Sequence, residues 1–217
     1  MKLVGFFDLL GTSEKVKSDR FSDTDILEFV NAIGVAAEFT PNVRFAVFSD
    51  SLILTADPSE IQSLLRAINF MYANWFSELV YVRGGISCGD IQWVNDSSCD
   101  NSFRQLVNLT YSRIYGKGLV MAYQLEQQSG PGAICFLTQQ AAAMFREKES
   151  ASVLDGRVPM LCWATEEQAK KAEGYALSQA EGSQESFGSK HYEAARHYWT
   201  SVMAHSKFLP AEYDICC

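Results

Sequence analysis

The stretch VRFAVFSDSLIL, Val43 to Leu54, decides the fold. Two apolar runs, Arg44 to Phe48 and Leu52 to Leu54, flank Ser49-Asp50-Ser51, a pattern that predicts a tight β-hairpin with one carboxylate at its tip. A second apolar run, Leu3 to Phe7, also stops on an acid, Asp8, and passes into Leu9-Leu10-Gly11-Thr12. Aspartate is a common turn former, because its side chain bonds to nearby backbone. Two strands that each end in an aspartate beside glycine and hydroxyl residues also suit a divalent metal, which prefers hard oxygen ligands and phosphate partners. Gly11-Thr12-Ser13 adds backbone N–H and hydroxyl donors, a phosphate cradle if it opens a short helix.

Working outward from these strands, residues 2–8 read as a buried strand with no helical stripe. Ser22-Asp23-Thr24-Asp25 supplies an N-cap region for a helix with Ile26, Phe29, Val30, Ile33 and Ala37 on one face. Asp57-Pro58-Ser59-Glu60 starts another helix, with proline in its first turn. Its stripe, Ile61, Leu64, Leu65, Ile68, Met71 and Trp75, has the spacing of core packing rather than of a cofactor site. Leu79 to Ser87 reads as a strand in which Gly84-Gly85 admit a close backbone or ligand. Residues 94–106 form a polar loop before a helical stretch carrying Tyr115-Gly116-Lys117-Gly118. Ala133 to Leu137 is a further strand, and Thr138 caps a helix through Phe145. Alternation with one embedded hairpin predicts an α+β fold, a mixed sheet backed by helices. From about residue 147 the texture changes: Gly156 to Ala164 reads as a strand, and 166–181 and 191–206 as two helices separated by the Gly/Ser-rich 182–190. The expected division is a core unit over 1–146 and a helical appendage over 147–217 packed on it.

The 217 residues, 47% of them hydrophobic, can bury one sizeable core. A formal charge of −8 argues against broad binding to nucleic acid or to an anionic membrane surface. The six cysteines, Cys88, Cys99, Cys135, Cys162, Cys216 and Cys217, form no CxxC pair and no regular spacing. Metal-finger and disulfide frameworks are therefore not expected, and a reducing, cytoplasmic setting is. The opening apolar run is broken by Asp8, unlike a signal peptide, and no window has the length of a transmembrane helix.

Three separated segments, FFDLLGT from Phe6, FSDS from Phe48 and VRGGISCG from Val82, occur with Tyr115-Gly116 and Ala122-Tyr123-Gln124-Leu125-Glu126. In this order, over roughly residues 1–140, they resemble the catalytic domain of class III nucleotidyl cyclases. The resemblance implies two divalent ions, Mn²⁺ or Mg²⁺, held by Asp8 with the backbone carbonyl of Leu9 and by Asp50. It also implies that Leu9, Leu10, Gly11 and Thr12 face the triphosphate. Two ions roughly 4 Å apart would sharpen the ribose 3′-hydroxyl and neutralise the leaving pyrophosphate. The family works as a homodimer with its active sites at the interface.

The chain departs from the family at the base and ribose positions. Val120 and Gln124 stand where the family carries an Asn and an Arg, and Lys117 stands at the residue that reads adenine in many adenylyl cyclases. Arg44, on the same strand face as Ala46 and Phe48, is a candidate base reader, with an exposed strand residue as the alternative. Arg83 suits bracing the fold better than touching substrate. A compact chain of this kind with no adenine-type site resembles the pyrimidine cyclases of the Pycsar anti-phage system. The expectation is conversion of UTP to cyclic UMP, with CTP and cyclic CMP as the alternative. A purine cyclase and a non-catalytic nucleotide-binding module also stay open. A haloacid-dehalogenase-type phosphatase does not: its second acid would fall at Leu10.

Overall fold

The strand Lys2–Leu9 (β1) is the centre of the molecule. It pairs antiparallel with Ser51–Ala56 (β3) on one side and with Val82–Gly89 (β4) on the other. Arg44–Phe48 (β2) folds back on β3 through the two-residue turn Ser49-Asp50, as the sequence predicts. Beyond β4 the sheet continues through Cys135–Leu137 (β7), Met160–Leu161 (β9) and Val153–Leu154 (β8), seven strands in the order β2-β3-β1-β4-β7-β9-β8. Only the β4–β7 pair is parallel among these ladders, so the sheet is mixed. Gln92–Val94 (β5) and Arg113–Tyr115 (β6) make a separate two-stranded ribbon. The structure, a computed structural model, describes residues 1–17, 19, 23–94, 113–149, 152–170 and 186–206. Ser22, most of the expected polar loop, the span 171–185, Cys99, Cys216 and Cys217 lie outside the described residues.

Alternation along β1 sorts the two faces. Leu3 and Phe7 point into the main core, with Leu52 and Leu54 of β3 and Ile86 of β4. The helices Asp23–Phe39 (α2), Ile61–Ser77 (α3) and Gln139–Lys148 (α5) cover this face. All six residues of the α3 stripe are buried, and Thr138 caps α5 by accepting from the Ala141 N–H at 3.3 Å. On α2 the buried stripe is Phe29, Ala32, Ile33 and Ala36, whereas Val30 is exposed. The stripe expected from the sequence was therefore rotated by part of a turn, a difference that alanines at 32 and 36 conceal.

Val4 and Phe6 face the other way, toward the helix Lys117–Gln128 (α4), with Ile53, Ile91 and Ala122. The paired glycines of β4 permit both contacts. A Cβ at Gly84 would lie 2.3 Å from the Phe7 ring, and one at Gly85 would lie 2.4 Å from the Ala122 carbonyl oxygen of α4. Each glycine thus admits a neighbour on an opposite face. Tyr115 belongs to β6 rather than to the helix, which begins at Lys117 after the positive-φ Gly116.

The C-terminal helix Ser186–Ser206 (α6) opens inside the Gly/Ser-rich stretch, five residues before the expected start. Its Tyr198 and Trp199 join Tyr72, Phe76 and Trp163 in an aromatic cluster of stacked and edge-on rings. The buried Tyr198 hydroxyl donates to the Leu161 carbonyl at 2.9 Å and accepts from the Trp163 N–H at 3.2 Å. The expected single strand near 156–164 is instead the short β8–β9 pair.

Replacing Gly85 by Ala tests the close seat of α4. Over-packing against backbone, which cannot rotate away, costs about 1–3 kcal/mol. The Gly85→Ala protein should unfold at a clearly lower urea midpoint, with an unchanged slope; an unchanged midpoint contradicts this packing.

Candidate functional site

Antiparallel register puts Asp8 opposite Ser51 on β3 and opposite Arg83 on β4. The Ser51 hydroxyl donates to Asp8 Oδ1 at 2.7 Å, a charge-assisted bond that fixes the carboxylate's orientation. The hairpin tip is tied to the same place from the backbone: the Leu9 N–H donates to the Asp50 carbonyl at 2.9 Å. Ser49, the first turn residue, sits at φ +54°, a conformation that glycine adopts more readily than serine. The turn therefore holds Asp50 beside the end of β1, near enough for its charge to act on Asp8.

The segment after Asp8 is fastened as well. Leu10 N–H donates to the Tyr81 carbonyl at 2.8 Å, and Gly11 turns the chain at φ +83° into the short helix Thr12–Lys17 (α1). The Thr12 hydroxyl bonds back to the Leu9 carbonyl at 3.1 Å. A carbonyl oxygen has two lone pairs, so the bond to Thr12 does not by itself exhaust it.

Burial pushes the Asp8 carboxyl above the ordinary range, and the neighbouring Asp50 charge adds to the rise. The Ser51 hydroxyl and the Arg83 charge oppose it. Arg83 is itself committed: its Nε meets Glu126 Oε1 at 2.5 Å, with Glu126 fully buried under α4. Burial likewise raises the Glu126 carboxyl, with Arg83 opposing. This buried pair lies directly beneath the carboxylate site. Its residues are visible in the sequence as parts of two motifs, but nothing in either motif says that they touch.

Hard oxygens from Asp8, Asp50 and the Leu9 carbonyl fit a divalent cation, whose charge would offset the repulsion and desolvation that penalise the Asp8 carboxylate. No cluster of three or more His, Cys, Asp or Glu is present among the described residues, so a cation here would draw on two carboxylates and backbone.

The other two candidates lie elsewhere on the same sheet face. Arg44 pairs with Thr55, which pairs with Val4, four residues and roughly 13 Å along β1 from Asp8. Its guanidinium lies 4.8 Å from the Trp93 ring centroid of β5, a cation–π contact. Lys117 opens α4, where Gly118 packs on Gly89, and Gly89 pairs with Lys2. That is roughly 20 Å along the strands from Asp8. Val120 and Gln124 both point outward from α4. Within one copy, then, Asp8, Leu9, Leu10, Gly11, Thr12 and Asp50 form one group, and Arg44 and Lys117 stand at the far end of the sheet. Trp93, which steadies Arg44, carries no motif that marks it in the sequence.

Solved structures share this architecture. The monomeric guanylyl cyclase domain of the RhoGC fusion protein from the aquatic fungus Blastocladiella emersonii matches with a TM-score of 0.53 and 14% identity, over 74% of this chain and 93% of that one. A bacterial light-regulated adenylyl cyclase matches with a TM-score of 0.50 and 12% identity over 66% of this chain. The match spans 44% of that enzyme's length. No family model and no curated protein matches the sequence. The chain has the class III cyclase fold, a mixed sheet backed by helices.

The Asp8 environment gives a test with a definite sign. Its folded pKa is raised, so the folded state binds the proton more tightly than the unfolded state does. Metal-free stability should therefore fall as pH rises from the ordinary aspartate range through that raised value. In EDTA above this window, Asp8→Asn should melt at or above the wild-type temperature, and it should lose any stabilisation by Mn²⁺. A marked drop in metal-free melting temperature, or retained Mn²⁺ stabilisation, contradicts the assignment.

Proposed function

We propose that this chain is a nucleotidyl cyclase, which turns a nucleoside triphosphate into a 3′,5′-cyclic nucleotide and pyrophosphate. The observation that supports this proposal is the backbone bond from Leu9 to Asp50, which puts Asp8 and Asp50 on neighbouring strand ends of a cyclase-type sheet. Divalent ions, Mn²⁺ or Mg²⁺, held by Asp8, Asp50 and the Leu9 carbonyl would acidify the ribose 3′-hydroxyl and neutralise charge on the phosphates. The 3′-oxygen attacks the α-phosphorus in line, the bond from that phosphorus to the β-phosphate bridging oxygen breaks, and the hydroxyl proton passes to solvent. The chain's own task is positioning. Ser51 orients the Asp8 carboxylate, the Leu9–Asp50 backbone bond places the residue that carries the second one, and the Leu10–Thr12 turn offers backbone donors to the triphosphate.

We assign UTP as substrate and cyclic UMP as product, with CTP as the alternative. Arg44, held on Trp93, presents donors only, and Lys117 does the same. Uracil offers two carbonyl acceptors to such groups, whereas cytosine and adenine turn an exocyclic amine toward them. We read Arg44 and Lys117, roughly 13 Å and roughly 20 Å along the strands from Asp8, as serving the nucleotide held at the metal end of another copy. The site is therefore completed by a second copy, whose Arg44 and Lys117 reach the metal end of the first. The open face around β2 and α4 suits such a partner: Phe48, Val120 and Tyr123 are 40%, 53% and 47% exposed, an apolar rim on a charged surface. In this account residues 1–146 carry the nucleotide chemistry and 147–217 complete the core behind it. The cyclic pyrimidine nucleotide is the alarm of an anti-phage response that switches on a cell-killing effector. No helix among the described residues is long and apolar enough to cross a membrane.

Complementation tests both parts of the proposal. Asp50→Asn should fold and lose turnover, because the amide removes a formal charge from the metal site. Arg44→Ala/Lys117→Ala should lose turnover through the other end of the site. In a symmetric dimer, mixing the two should restore about a quarter of wild-type activity, since half the dimers are mixed and each has one intact site of two. Retained turnover in Asp50→Asn contradicts the metal assignment. No recovery on mixing contradicts the shared site.

A further inference from the structure

A cavity of about 510 Å³, lined by none of the strand-end site residues, opens between the 128–134 turn, the 156–158 loop, the β7–β9 pair and α6. This is the size range of small-molecule sites. Phe136, Met160 and Tyr198 form apolar walls, while Arg157, His197 and Ser201 supply polar groups. None of the lining residues is a carboxylate, in a chain whose formal charge is −8. The nearest acid in sequence, Asp155, is paired with Arg146, which leaves the Arg157 charge uncompensated by it. Arg157 makes no ion pair among the described residues.

We propose that this cavity is a binding site for a small amphipathic anion: a flat or branched apolar body that fills the walls and one carboxylate, sulfonate or phosphate that meets Arg157. The apolar walls supply affinity through burial, and the lone guanidinium supplies orientation and selects charge. The place of the cavity gives it a line to the carboxylate site. Gly130, in its wall, accepts from Arg83 Nη1 at 3.4 Å, and Arg83 on β4 stands opposite Asp8 on β1. A ligand that presses on this turn bears on the residue that braces Asp8. An effect on turnover rests on the cyclase proposal above; binding itself does not.

The test is a fluorescence titration of the full chain with 8-anilino-1-naphthalenesulfonate, an aromatic anion that fits the volume. The expected result is saturable, one-to-one binding. Arg157→Glu, which reverses the charge, and Ser201→Trp, which fills the cavity, should each weaken it by about tenfold or more, the worth of a charge-assisted contact. Arg157→Lys and Asp50→Asn should bind as wild type does. The neutral analogue N-phenyl-1-naphthylamine should bind about tenfold more weakly or less. Melting curves on each variant separate lost binding from lost fold. The proposal is overturned by absence of saturable binding to folded wild type, by wild-type binding in Ser201→Trp with a native melting curve, or by equal affinity for the neutral analogue. Each readout is independent of turnover, so an inactive cyclase would not mask a binding site.

Discussion

The antiparallel register of β1 against β3, closed by the Leu9 N–H on the Asp50 carbonyl, is the constraint on which the rest depends. Side chains alternate with a period of two, so a slip of one residue would turn Asp8 into the main core and bring Phe7 out onto the α4 face. Core burial forbids that slip: Leu3 and Phe7 are fully buried on one face and Val4 on the other. Packing energy spread over the whole sheet thus fixes a carboxylate position to which no single polar bond could hold it. The same register opposes Asp8 to Arg83, whose buried partner Glu126 belongs to α4. Sheet, covering helix and site are set by one alignment.

That alignment also imposes a cost. Two carboxylates converge where burial already disfavours charge, and only Ser51 and the committed Arg83 offset it. Such an arrangement is poorly suited to stability alone, since a buried or half-buried anion without a full counter-charge destabilises the folded state. A cation bound there would offset that penalty. The far end of the sheet has the opposite character, with the exposed cations Arg44 and Lys117. One surface therefore carries an acidic end and a basic end separated by more than the length of a pyrimidine ring.

Much of the fold was legible in the sequence because its signals are local. The Ser49-Asp50 turn between two apolar runs, the α3 stripe from Ile61 to Trp75 and the Thr138 cap each depend on a few neighbouring residues. Where alanine and valine share a helix face, as on α2, pattern alone misjudged the buried side: it chose Val30, and the structure buries Ala32 and Ala36. The acidic end of the candidate site was legible as residues, because both aspartates end apolar runs. Its partners were not. Arg83 and Glu126 are 43 positions apart, and Arg44 finds Trp93 across two separate sheets. Sequence periodicity carries no information about such pairings. The same holds for the C-terminal region, where Tyr198 and Trp199 complete a core begun by α3. Sequence texture suggested an extension packed on the core there, but not that Tyr198 and Trp199 would be the rings that make the contact.

The account's central claim is that two strand-end aspartates hold metal for cyclisation of a pyrimidine triphosphate. Its most direct test is incubation of the purified chain with ATP, GTP, CTP and UTP separately, with Mn²⁺ or Mg²⁺, and product identification by mass. The account predicts cyclic UMP and pyrophosphate from UTP, dependent on the metal. Cyclic product from ATP or GTP alone would contradict the base assignment, and the absence of any cyclic product from the folded chain with metal present would contradict the claim itself.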